Sequence, residues 1–333
     1  MKTRSIILAC ALAVLLSGPV FAQGAVATGG SGSSPAEETP SFHAGGGELP
    51  AMEPTRSSMS IPQAALLGVV EGVTEYLPVS STGHLTVVQS LLGLWATPEE
   101  KRASDAYAIC IQLGAIIAVF LVSWRRIKGM VRGIFGRDRD GLRLLGNVVI
   151  AFIPAAVFGL LFENRIKHSL YGIWPVAAAW LVGGIFILTA LTHRRSREGA
   201  ALESLSWRSA LIIGLMQVIA LWPGVSRSLV TIAGALFVGL SLSAAVEFSF
   251  LLGLLTLGAA TIYEGLKLGP EIVAAFGWVS PLVGLVVAGI AAFIAVRWMV
   301  EYLRTRSLAV FGWYRIGAAI VAGVLVITGV LRT

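Results

Sequence analysis

Six stretches of this 333-residue chain are nearly free of polar residues: about 106–124, 146–163, 174–192, 244–266, 278–299 and 313–331. Each is roughly 18–23 residues long, against the ~20 that a helix needs to cross a bilayer core, so six transmembrane helices are expected. Two further apolar segments, 62–94 and 207–240, are interrupted by proline and hydroxyl residues, "YLPVSSTGH" and "LWPGVSRSLVT". Proline ends one helix and hydroxyls cap the next, so each segment reads as a re-entrant hairpin that enters and leaves the membrane on one side. The expected fold class is an all-α polytopic membrane protein.

The N-terminus follows another pattern. Lys2 and Arg4 precede an apolar run from Ile6 to Leu16, and Val20, Phe21 and Ala22 offer a cleavage point before Gln23. Residues 1–22 therefore read as a signal peptide or signal-anchor. Residues 23–60 are rich in Gly, Ser, Pro and Ala without an apolar period, which predicts a disordered exported tail before a membrane domain at 61–333. His43 in that tail has no organised partners. With Cys10 in the signal and Cys110 in a span, no disulfide framework is expected.

Composition agrees with the runs: 56% of residues are hydrophobic and 13% charged, with a mean hydropathy of +0.82. The net charge of +7 excludes little until its distribution is read. Segments 125–143, 193–208 and 297–315 hold fifteen Lys and Arg, whereas the opposite connections hold six (Lys101, Arg102, Arg165, Lys167, Lys267 and Arg332). Basic residues accumulate in cytoplasmic loops, so this bias orients every span and agrees with an exported tail. The charge is a topology signal and an attraction to anionic lipid; no nucleic-acid partner is expected.

With that orientation, residues 62–192 are a hairpin entering from outside followed by three spans, and 207–331 are a hairpin entering from the cytoplasm followed by three spans. The halves are expected to form an inverted-topology repeat whose site lies where the two breaks meet.

The polar residues at those breaks suit phosphate chemistry. Glu71 and Glu75 are four apart, so their carboxylates share a helix face and could hold a divalent cation, Mg²⁺ or Ca²⁺. After Pro78, the residues Ser80, Ser81 and Thr82 open a second half-helix, offering hydroxyls and free N–H groups to a phosphate that Gly83 lets approach closely. His84, three residues after Ser81, can act as general base, general acid or nucleophile. In the second break, Arg227 supplies a guanidinium fork and Ser226, Ser228 and Thr231 more hydroxyls. Gln112 and Gln217 read as helix–helix hydrogen-bonding residues, and His168 and His193 as interface residues.

At "EGVTEYLPVSSTGH", "IQLGAIIAV" with "WRR", "IPAAVFGLLFE", "GLMQVIALWPGVSRS" and "FSFLL", the chain resembles the undecaprenyl pyrophosphate phosphatases, the BacA-type bacitracin-resistance enzymes. The resemblance covers about 62–331. It implies a phosphatase that removes the terminal phosphate of a polyprenyl pyrophosphate lipid, recycling the carrier for cell-wall synthesis. It also implies a multi-pass protein of the bacterial inner membrane, with its active site facing the periplasm and room for a homodimer. Carried onto this chain, Glu75 is a metal ligand or its close support and Glu71 assists. Ser81 and His84 belong to the catalytic centre, and Arg227 with Ser226 and Thr231 holds the pyrophosphate. The nucleophile is Ser81, His84 or a water. The chain departs from the family at Leu229, where glycine is usual, and at Leu242 and Leu255, where arginine and proline are expected; at Leu229 a positive φ is at stake.

Two other readings compete for these residues. PAP2-type phosphatases need a second histidine about six residues past the arginine, and positions 232–236 are "IAGAL". A transporter or flippase of phosphorylated polyprenyl lipid would use the same architecture, but has little use for a carboxylate pair beside a histidine.

Overall fold

The computed structural model describes residues 59–331 except 96, 171 and 193–198. The expected signal segment 1–22 and nearly all of the tail 23–60 lie outside the described residues, as do His43 and His193. Eleven α-helices are present among the described residues, with no strand. They are α1 (Ile61–Thr74), α2 (Ser81–Leu91), α3 (Pro98–Val122), α4 (Trp124–Ile134), α5 (Arg139–Leu170), α6 (Ile173–Phe186), α7 (Trp207–Gln217), α8 (Arg227–Phe237), α9 (Leu242–Phe276), α10 (Val279–Leu303) and α11 (Ala309–Ile327).

Six of these, α3, α5, α6 with its π-helical extension Ile187–Leu191, α9, α10 and α11, are long and apolar enough to cross a membrane, and they coincide with the six expected spans. The protein is an all-α polytopic membrane protein. Several helices outrun their apolar cores. α3 starts at Pro98 because Thr97 and Glu100 form a capping box, with the Thr97 N–H donating to Glu100 Oε2 at 3.2 Å and the Glu100 N–H to Thr97 Oγ1 at 3.1 Å. The basic segment 125–143, expected as a loop, is largely helical: α4 carries its charges on one face and leaves Trp124, Val131 and Ile134 exposed on the other. Arg126 of α4 donates to Glu203 Oε1 (2.6 Å) and to both oxygens of Glu247 (2.7 and 3.0 Å), tying α4 to the chain before α7 and to the start of α9.

The two interrupted segments break where the prolines stand. α1 ends at Thr74, a turn runs through Pro78, and Ser80 caps α2. α7 runs on as a 3₁₀ turn, Val218–Leu221, the chain turns at Pro223 and Gly224, and Ser226 caps α8. Ser80 (φ 75°) and Ser226 (φ 77°) are the only non-glycine residues at positive φ among the described residues, and each side chain accepts the N–H three residues on. Leu229 is not at a positive φ. It lies in the first turn of α8, 1% exposed in the main hydrophobic core, and its N–H bonds Ser226 Oγ at 3.3 Å.

Packing crosses between the halves of the chain. α10 packs on α1 and α3, α5 packs on α7 and α9, α3 packs on α9, and α6 packs on α11. Small residues allow the closest crossings: a side chain at Gly68 or Gly72 of α1 would strike the α10 backbone at Gly284 or Ala288, and one at Gly214 of α7 would strike Ala151 of α5. In lipid, where apolar side chains gain nothing by leaving hydrocarbon, this close backbone approach drives association.

Candidate active site

The two breaks converge on one cavity of about 180 Å³. Its wall includes Glu75, Ser80, Ser81 and Thr82 from the first break and Ser226 and Arg227 from the second. Six expected site residues are thus brought together. Both α2 and α8 begin at the cavity, and the first-turn N–H groups of a helix have no intrahelical partner, so two helix N-termini border it.

Glu75 is the hub. It accepts a hydrogen bond from the Ser81 hydroxyl, and its Oε1 lies 3.5 Å from Arg227 Nη2. The guanidinium is seated on three sides: Nη1 donates to the Ser249 carbonyl at 3.2 Å, the Tyr76 ring lies beneath it at 5.1 Å, and any side chain at Gly253 would collide with it. Ser228 does not reach the cavity. Its hydroxyl donates to the Leu77 carbonyl at 2.8 Å, stitching the start of α8 to the first break. Thr231, also fully buried, bonds the Arg227 carbonyl (2.8 Å) and the Ser249 hydroxyl (2.7 Å) and so supports the arginine from behind.

Besides Ser228 and Thr231, three more expected residues stand outside the cavity wall. Glu71 is 1% exposed and neighbours the Glu75 carboxyl from outside the cavity wall, with its Oε1 lacking a hydrogen-bond partner. Gly83 faces Trp180, whose ring a Cβ would strike, so its missing side chain lets α2 and α6 pack closely. His84 also faces away from the cavity wall. Its Nδ1 is 2.7 Å from the Ser80 carbonyl and its Nε2 2.7 Å from the Tyr314 hydroxyl, with the ring stacked on Tyr314 and tilted against Trp180. One face of α2 does carry both Ser81 and His84, but at the first turn that face is divided between the cavity and α11.

Sequence reasoning missed several contributors. Gln112, Gln217 and Thr256 line the same cavity, beyond the expected helix–helix bonds of the glutamines to Thr261 and Thr256. Tyr76 and Ser249 hold the Arg227 guanidinium, and Tyr314 holds the His84 ring. Arg315, expected among the basic residues of a cytoplasmic connection, is instead inside α11 and fully buried.

Among the described residues no three His, Cys, Asp or Glu side chains gather as a metal site. The donor set nonetheless suits an oxygen-seeking cation: two neighbouring carboxylates, one with an orphaned buried oxygen, next to a phosphate-sized cavity, the arrangement in which Mg²⁺ takes its remaining ligands from substrate.

A profile of the family described as bacitracin resistance protein BacA matches residues 64–321. The undecaprenyl-diphosphatase of Sorangium cellulosum is 47% identical over 257 residues, 76% of this chain and 82% of that protein. Undecaprenyl-diphosphatase 2 of Rhodospirillum rubrum is 45% identical over 78% of this chain and 92% of its own length, and undecaprenyl-diphosphatase 1 of Chromobacterium violaceum 45% identical over 77% and 93%. With both interrupted segments inside the matched region, the chain belongs to the BacA bacitracin resistance protein family.

Proposed function

We propose that this chain is an integral membrane undecaprenyl-diphosphatase: it hydrolyses a polyprenyl pyrophosphate to the monophosphate and inorganic phosphate. The observation that carries the mechanism is the shared hub, with Glu75 accepting the Ser81 hydroxyl and meeting Arg227 in a cavity bordered by two helix N-termini. Ser81 Oγ attacks the terminal phosphorus while its proton passes to Glu75, and the bond to the bridging oxygen breaks, releasing the lipid monophosphate. Water then attacks the phosphoserine, Glu75 returns the proton to the serine oxygen, and inorganic phosphate leaves. Arg227 and the helix N-termini stabilise charge on the transferring group, while Ser80, Thr82 and Ser226 contact its oxygens. Glu71 and Glu75 would hold a divalent cation, which when bound neutralises pyrophosphate charge.

His84 acts in this reading by position. Its ring bonds the Ser80 carbonyl and so braces the strained residue that aims Ser81. The transporter alternative is not favoured, because a purely binding site gains nothing from a hydroxyl delivered to a carboxylate.

The inverted repeat belongs to the same reading. It is supported by the reciprocal packing of α10 on α1 and α5 on α7, and by the matched positive-φ serines. The basic α4, joined to Glu203 and Glu247, supports a cytoplasmic face there, which leaves the reaction to open on the periplasmic side of the inner membrane. A homodimer remains part of the reading. Phosphate release from undecaprenyl or farnesyl pyrophosphate by the purified protein in detergent tests the activity; lipid binding without phosphate release would overturn it.

A further inference from the structure

We propose that Arg315 is a positioning residue for this reaction, holding the two hairpin breaks at a fixed separation. The inference rests on the phosphatase reading for its kinetic consequence, but its geometry is independent of it. Arg315 is fully buried inside α11 and does not line the cavity, so it is not a group that touches substrate. Among the described residues, all its hydrogen bonds go to backbone carbonyls: Nη1 to Pro78 at 3.3 Å, and Nη2 to Ala179 at 2.8 Å and to Gly224 at 2.9 Å. No carboxylate is among these partners, although a buried guanidinium ordinarily takes one.

The choice of carbonyls explains this cost. Pro78 lies two residues before Ser80, and Gly224 two residues before Ser226, so one guanidinium grasps the same position in each break. Its third bond, to Ala179, fixes it to α6, where Gly183 leaves the space that the guanidinium fills. Two prongs from one planar group thus set the first break, which carries Glu75 and Ser81, against the second, which carries Arg227. A lysine keeps the charge but offers a single nitrogen and cannot reproduce that fork.

The test combines kinetics with amide hydrogen exchange on Arg315→Lys. Losing the clamp is expected to lower kcat about 10²-fold, the scale of a misplacement of about 1 Å, with KM little changed. Exchange is expected to rise at residues 79–82 and 225–228 together and not in the spans. In a double-mutant cycle, Arg315→Lys should cost much less in an Arg227→Lys background, because the group being positioned is already impaired. Wild-type kcat, exchange rising uniformly through the protein, or losses that multiply would each overturn the proposal. Should Arg315→Lys fail to fold, Gly183→Ala, which crowds the guanidinium in place, must give the same paired loosening; unchanged exchange at both breaks would overturn it. Paired loosening in a protein whose wild type releases no phosphate would retain the clamp and reject the phosphatase reading.

Discussion

Arg227 and Glu75 come from different breaks and meet with 3.5 Å between Nη2 and Oε1, their side chains only 10% and 5% exposed. Removing one partner of so buried a pair strands the other, at a cost of about 3–5 kcal/mol. Arg227→Met is therefore expected to lower thermal stability as well as activity. Arg227→Lys should fold, keep the charge, and lose about 10²–10³-fold in kcat/KM, as when one transition-state donor is lost. Phosphate release and thermal unfolding of both variants check this, and a fully active lysine variant would refute it.

Ser81 and His84 should separate kinetically. Ser81→Ala is expected to reduce kcat by at least ~10³-fold, since a nucleophile and its base act as a unit. His84→Ala should cost about 10²-fold in kcat by freeing the Ser80 turn, with little effect on substrate binding. Tyr314→Phe, which removes only the hydroxyl on Nε2, should cost less and leave the shape of the pH–rate profile unchanged; a lost limb in that profile would restore His84 to proton transfer.

Chelation addresses the carboxylate pair. Excess EDTA should abolish turnover and Mg²⁺ or Ca²⁺ restore it, while Glu71→Gln should raise the cation concentration needed for half-maximal rate. Full activity in excess chelator would end the metal assignment.

The burial of Leu229 yields a prediction about stability. Because it is buried in the main core and helical, Leu229→Ala should destabilise by about 2–5 kcal/mol and Leu229→Gly by roughly 1 kcal/mol more. Thermal unfolding in detergent reads both, and a glycine variant as stable as wild type would show that the core collapses around the gap.

On the basic face, the hydrogen bond from Arg126 holds the Glu203 carboxyl below its ordinary value of 4.5. A depressed value adds stability that is complete above the ordinary value and is lost as pH falls through the lowered one. The advantage of wild type over Glu203→Gln should therefore be present at neutrality and vanish in acid. It should be smaller than about 1 kcal/mol, because the side chain is half exposed. An advantage that grew in acid would contradict the pairing.

The legible and illegible parts of this protein divide along physical lines. The six spans were readable because a bilayer demands long apolar runs, and Glu75, Ser81 and Arg227 stood out because polar groups at that depth need a reason. The ends of α3 and α9 were not readable, since capping and interfacial residues extend a helix past its apolar core. α4 read as a loop because its charges masked a helical period. The surroundings of His84 were not readable, because i, i+3 spacing gives a shared helix face but not what packs against each part of it. Arg315 sits three residues inside the last apolar run, where an arginine ordinarily turns its charge toward the interface; only the carbonyls facing it reveal an inward course.

The crossed packing also has a consequence for how the protein is made. α1 lies chiefly against α10, and Glu75 receives Arg227 from α8, so during synthesis the first break enters the bilayer long before its partners have left the ribosome. Until then Glu75 faces hydrocarbon or a water defect without the guanidinium of Arg227. The nascent first half is accordingly a natural client for insertion chaperones and quality-control proteases, and mutations in α8 or α10 will register first as lost protein in the membrane and only then as lost catalysis.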